Sequence, residues 1–114
     1  MGGTIDEDTP YEWGVKPTYE DVSSAQKSLV TIVNASHTIF NPTCNNIPWA
    51  PDLGDYYGWL CLQKVWDKER GLDLIHHFST AFLLDQLKGD KAAHKALLPD
   101  AVNFPGIDYK TTMK

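Results

Sequence analysis

The alternation of apolar and polar positions divides the chain into a few elements. Gly2 to Pro10 is rich in Gly, Asp and Thr and ends in Pro, which predicts a loop. From Tyr11 to Ser24 the apolar positions Tyr11, Val15, Tyr19 and Val22 recur at helical spacing. Pro10 suits a first helical turn. Pro17 lies inside the stretch, so the helix is expected to be short, kinked or restarted there. Between Lys27 and Asn34 the pattern changes. Leu29-Val30-Thr31-Ile32-Val33 is a short β-branched, apolar run, which predicts a strand buried on both faces, the habit of a parallel sheet.

After the strand, Asn41 to Gly58 is rich in Pro, Asn, Asp and Gly and reads as a long loop, of the kind that is more often functional than idle. Tyr56 to Val65 is aromatic and has helical character. A strong helix is predicted from Asp67. Its broad apolar face carries Leu72, Ile75, Phe78, Ala81 and Phe82, widened by Leu74, Leu83, Leu84 and Leu87. Gly89 stops it. Asp90 caps a short helix that Pro99 ends. Asp100 to Lys114 shows no period. One convincing strand therefore stands alone. A strand needs partners for its backbone donors and acceptors on both sides, so the pattern implies a sheet completed by another segment or another chain.

Composition narrows the function. The 114 residues suit a single domain, and 42% hydrophobic with 22% charged is ordinary for a globular chain. The net charge of −5, with scattered Lys and Arg, argues against nucleic acid as a partner. No apolar run is long enough for a membrane span. The segment Met1 to Asp6 lacks the basic and apolar regions of a signal peptide. The two cysteines, Cys44 and Cys61, permit one disulfide or two buried thiols.

The candidate chemistry lies at the two ends of the strand pattern. Asp6 stands in the opening loop and His37 directly follows the predicted strand. Functional groups gather at the carboxyl ends of strands in α/β sheets. Loops following adjacent strands would bring Asp6 to the Nδ1–H of His37 and leave Nε2 as a general base. From the residues alone, Asp6 reads first as a cap for the helix after Pro10, and Asp8 could take either role. His76 and His77 are adjacent on a helix and point about 100° apart, which does not suit a shared metal ion. One is expected packed and the other solvated. His94 reads as a surface residue of the short helix.

The pattern Gly3-x-x-Asp6-x-x-Thr9-Pro10, followed by Leu29-Val30-Thr31-Ile32-Val33-Asn34-Ala35-Ser36-His37-x-x-Phe40, resembles the C-terminal third of an α/β hydrolase. The similarity is to the dienelactone-hydrolase-like and platelet-activating-factor-acetylhydrolase-like esterases. The helix from Val65 to Leu83 and the ending Pro99 to Gly106 resemble the closing segment of that fold. The resemblance implies an α/β fragment holding the last part of a mostly parallel sheet, the His loop and a long closing helix, with residues 1–114 as part of one domain. It implies Asp6 as acid and His37 as base of a Ser-His-Asp triad in a carboxylic-ester hydrolase without cofactor or metal.

The resemblance also implies a Cys44–Cys61 disulfide, and so a secreted or periplasmic setting over a cytoplasmic one. Closing a loop of this length is worth roughly 3 kcal/mol. Among Trp49, Tyr56, Tyr57, Trp59 and Trp66, Trp49 is the best placed to line an ester pocket. The nucleophile is missing. None of Ser23, Ser24, Ser28, Ser36 and Ser79 lies in Gly-x-Ser-x-Gly, and Ser36 points away from its neighbour His37 in an extended segment. The serine would come from an N-terminal hydrolase segment or a second chain. The alternative is a non-catalytic module that binds a partner through the apolar face of Leu72–Leu87.

Overall fold

The apolar run after Lys27 is the centre of the molecule. In the computed structural model, which describes residues 1–41, 44, 47–62 and 65–114 without the side chain of Trp59, the chain is mixed α/β. Its order is β1 (Gly2–Gly3), a π-helical turn (Tyr11–Val15) running into α1 (Lys16–Asp21), β2 (Ser28–Ile32), a 3-10 turn (His37–Phe40), a further 3-10 turn (Ala50–Leu53), α2 (Tyr56–Cys61), α3 (Lys68–Lys88), α4 (Lys91–Ala96) and β3 (Ile107–Thr111). The loop expected from Asn41 to Gly58 thus contains a turn and the start of α2, and its residues 42, 43, 45 and 46 lie outside the described residues.

Local chemistry sets the boundaries. Pro17 falls in the first turn of α1. Its ring would crowd the carbonyl four residues back, and the wider π turn just upstream relieves that contact. The last carbonyls of α1 are satisfied by one side chain: Lys27 Nζ donates to Tyr19 O at 2.8 Å, Glu20 O at 3.2 Å and Val22 O at 3.0 Å. Asp67 caps α3 by accepting from the Arg70 amide at 2.8 Å. Gly89, at φ 62°, ends α3 in the left-handed conformation. Asp90 then accepts from the amides of Ala92 and Ala93, starting α4.

The expectation of a solitary strand is corrected. The sheet is three-stranded and mixed, in the order β1-β2-β3. β1 runs parallel to β2, with Gly2 opposite Thr31 and Gly3 opposite Ile32. β3 runs antiparallel, from Ser28 opposite Thr111 to Ile32 opposite Ile107. In β3 the residues Ile107, Tyr109 and Thr111 are half-buried, while Asp108 and Lys110 are exposed. This is the period-2 pattern of a strand with one wet face. The charged residues on that face hid it from a search for apolar runs.

Val30 joins Phe78, Ala81, Ala93, Leu97 and Met113 in one buried cluster, and Ile32 joins Ala35 and Ile39 in another. Both lie on the α3 side of the sheet. On the opposite side the Tyr11 hydroxyl bonds Thr31 Oγ1 at 2.7 Å, which brings the π turn over β2. Burial on both faces therefore comes from helices within this chain. The buried stripe of α3 is Gly71, Leu74, Phe78 and Ala81. Leu72, Ile75, Phe82 and Leu84 flank it half-buried, but Leu83 and Leu87 are 54% and 76% exposed, so the apolar face is wider than the core it meets. The radius of gyration is 15.5 Å, against about 13 Å for a globular chain of this length.

Candidate functional site: an aspartate–histidine pair at the end of β2

Backbone bonds bring the opening segment across the end of β2. The Thr4 amide donates to Ile32 O at 3.2 Å, and the Ile5 amide donates to Ala35 O at 3.1 Å. A Cβ added at Gly3 would strike the Ala35 carbonyl, so only glycine lets these two backbones lie this close. The next residue along is Asp6.

On the other side, Asn34 turns the chain at φ 61°, a conformation Asn tolerates. The Asn34 amide donates to Thr4 Oγ1 at 2.8 Å, a positioning contact that the sequence pattern did not single out. Its trace in the sequence is Thr4, two residues before the acid. Ala35 and Ile39, both fully buried, anchor the turn that presents His37.

The geometry joins the two predicted residues. His37 Nδ1 lies 3.0 Å from Asp6 Oδ2. The Asp6 side chain is 2% exposed and that of His37 is 43% exposed. Asp6 Oδ1 accepts from the amides of Asp8 at 3.0 Å and Thr9 at 2.7 Å. The two readings of Asp6 are thus divided between its oxygens: one closes the local turn and the other faces the imidazole. Asp8 is exposed and reaches Asp6 through its backbone amide. Donor atoms of Asp6, Asp8 and His37 all lie within 4.8 Å of one another, but both Asp6 oxygens already have partners. Among the described residues no hydrogen bond is made by His37 Nε2. This leaves an imidazole oriented at one nitrogen and open at the other, the arrangement of a general base. Asp6 and Thr4 also line a cleft of about 430 Å³ with Tyr11, Thr31 and Lys110.

The remaining expectations sort differently. Cys44 and Cys61 form a disulfide with Cα atoms 5.5 Å apart, tying the loop after His37 to α2. A disulfide suits an oxidising compartment. Trp49 is 56% exposed, and no described contact brings it to His37. The aromatic ring beside His37 is Phe40, edge-on at 6.4 Å. Tyr56 is exposed, Tyr57 packs beside the disulfide, and Trp66 donates Nε1–H to Val33 O at 2.7 Å. The Trp59 side chain lies outside the described residues. His76 is exposed, while His77 packs edge-on against Phe78 and Phe104. Among the described residues no helix is long and apolar enough to cross a membrane.

Comparison with known proteins changes the family reading. No family model and no solved structure matches the chain. Over 82 residues, 68% of this chain, it is 33% identical to vacuolar protein sorting-associated protein 33B of Danio rerio. That stretch is 12% of the relative's own length, so the chain spans only a small part of it. The resemblance to dienelactone-hydrolase-like and platelet-activating-factor-acetylhydrolase-like esterases is thereby corrected. The relative found is a sorting-associated protein and not a hydrolase, and the mixed sheet departs from the mostly parallel sheet that resemblance implied.

Proposed function

We propose that Asp6 and His37 are the acid and base of a hydrolytic centre acting on a carboxylic ester, with a serine nucleophile contributed by a segment outside this chain. The observation that carries the reading is the pairing of a buried, doubly anchored Asp6 with an imidazole whose Nε2 makes no hydrogen bond among the described residues. In this mechanism Asp6 holds the Nδ1–H tautomer of His37, Nε2 removes the serine proton as the hydroxyl attacks the ester carbonyl, and the imidazolium returns that proton to the leaving alcohol. An extracellular or periplasmic site of action accords with the disulfide.

The test is hydrolysis of p-nitrophenyl acetate by the chain joined to a nucleophile-bearing segment. His37→Ala should lower the rate by at least about 10²-fold, the usual contribution of a positioned base. His94→Ala should not. Equal rates for wild type and His37→Ala would reject the role.

A second reading is an interaction module. It is favoured by the exposure of the apolar side chains Leu83 and Leu87 on α3. Leu87→Asp should remove such an association and leave any ester cleavage unchanged.

A further inference from the structure

We propose that Trp66 is a positioning residue for the Asp6–His37 pair, acting through the one peptide unit that joins Val33 to Asn34. Side chains from two distant segments hold the two ends of that unit. Trp66 donates its Nε1–H to Val33 O at 2.7 Å. The Asn34 amide donates to Thr4 Oγ1 at 2.8 Å. A carbonyl and the amide that follows it share a rigid plane, so the two bonds together fix its rotation.

The ladder explains why a side chain is needed there. An antiparallel hydrogen-bonded pair exchanges two backbone bonds. The Val33 amide donates to Gly106 O at 2.9 Å, but among the described residues no backbone amide donates to Val33 O. The indole N–H takes that place, just beyond the last paired residue of β2, Ile32. It satisfies a carbonyl that would otherwise be left without a partner in a half-buried turn. Asn34 follows at φ 61°, a conformation that needs support from its surroundings.

The indole is itself aimed. Its ring packs on the cluster of Ile32, Ala35 and Ile39, the residues that flank the His37 turn. A Cβ added at Gly106 would strike its edge. The Arg70 guanidinium lies over the ring at 5.4 Å and donates to Pro105 O at 3.1 Å. The first turn of α3 and the approach to β3 therefore set the direction of one N–H bond. If the Val33–Asn34 plane rotates, its amide leaves Thr4, two residues before Asp6, and the chain leading to His37 turns with it. One peptide thus couples the loop of the acid to the loop of the base.

This inference rests on the Asp6–His37 reading and adds to it the group that holds the pair in register. The experiment is NMR of the full chain. In the wild type, the Trp66 indole proton and the Asn34 amide should show equal protection from hydrogen exchange, because one rotation exposes both. Trp66→Phe keeps a ring and removes the donor. It should lower the ratio of Nδ1–H to other His37 forms, read from ring nitrogen shifts, about fivefold, the worth of one net hydrogen bond. Thr4→Val should do the same, and the double variant should lose little more than either alone. Ile75→Val thins the same apolar cluster, so it should lower stability and leave the His37 ratio unchanged.

Unequal protection of the two protons in the wild type would overturn the proposal. So would an unchanged His37 ratio in Trp66→Phe, multiplicative losses in the double variant, or an equal loss in Ile75→Val, which would make Trp66 a space-filling residue. If wild-type His37 does not hold its proton on Nδ1, the acid–base reading falls and this inference with it. If wild-type His37 does and Trp66→Phe leaves it there, this inference alone falls.

Discussion

Among the described residues two aspartate–histidine pairs occur, and they are held in different ways. In each, a histidine Nδ1 meets a carboxylate: His37 to Asp6 at 3.0 Å and His94 to Asp85 at 3.1 Å. The difference lies at the other nitrogen. His94 Nε2 bonds Lys114 O at 3.1 Å, so the ring ties α3, α4 and the chain's last residue together. Among the described residues His37 Nε2 has no such tie, and its side chain is 43% exposed against 29% for His94. Asp6 is fixed by two backbone amides on a short loop, whereas Asp85 is carried by a long helix. The contact distance therefore does not separate the two pairs. What separates them, among the described residues, is the second imidazole nitrogen and the main-chain anchoring of Asp6.

Four experiments break or sharpen that contrast. The largest effect should come from reducing Cys44–Cys61, which removes roughly 3 kcal/mol by the loop-closure argument. Thermal unfolding with and without reductant measures it. The loosening should be concentrated in the loop after His37, so a uniform change that includes the His94 pair would deny the disulfide a local role.

Next, Gly3→Ala should cost on the order of 1–3 kcal/mol, because its Cβ meets backbone that cannot turn aside. Urea unfolding gives the cost. Histidine NMR should show His37 released from Asp6 and His94 unaltered, and retention of both pairs would mean that β1 does not set the acid.

Third, Asp6→Asn should move neutral His37 away from the Nδ1–H tautomer, as read from ring nitrogen shifts. Asp85→Asn should leave His94 in place, since Lys114 O still holds it. The stability changes expected are about 1 kcal/mol.

The smallest effect concerns Lys68. Burial holds its ammonium below the ordinary value of 10.5. The unfolded chain then binds the proton more tightly than the folded one. The burial cost is complete at lower pH and is relieved as pH rises through the interval below 10.5. Lys68 Nζ also donates to Leu60 O at 3.2 Å, so the sign of the net change for Lys68→Met is set by both effects, but the variant's stability relative to wild type should fall as pH rises into alkali. A pH-independent difference in Tm would refute this.

The legibility of these features followed physical scale. β2 was readable because four consecutive buried residues, Leu29 to Ile32, leave an apolar run. The boundaries of α3 were readable because Asp67, Gly89 and Asp90 use local hydrogen bonds. β3 was not, because its pattern is alternation with charges on the wet face. The joining of Asp6 and His37 followed from their order relative to a strand, yet the reason they meet was hidden. It depends on Gly3 against Ala35 and on Thr4 against Asn34, contacts between residues some thirty positions apart. The family resemblance drawn from the same motif order was misplaced, because short loop motifs constrain a local arrangement far more than an ancestry.

The brevity of β1 has a thermodynamic consequence. Asp6 follows a strand of two residues, whereas His37 follows a strand paired along its whole length with β3. Local opening should therefore begin on the Asp6 side, whose segment has the fewest bonds to break. Anything that lengthens the β1 ladder would also hold Asp6 against His37. By linkage, a formed pair would in turn raise the affinity for whatever lengthens it.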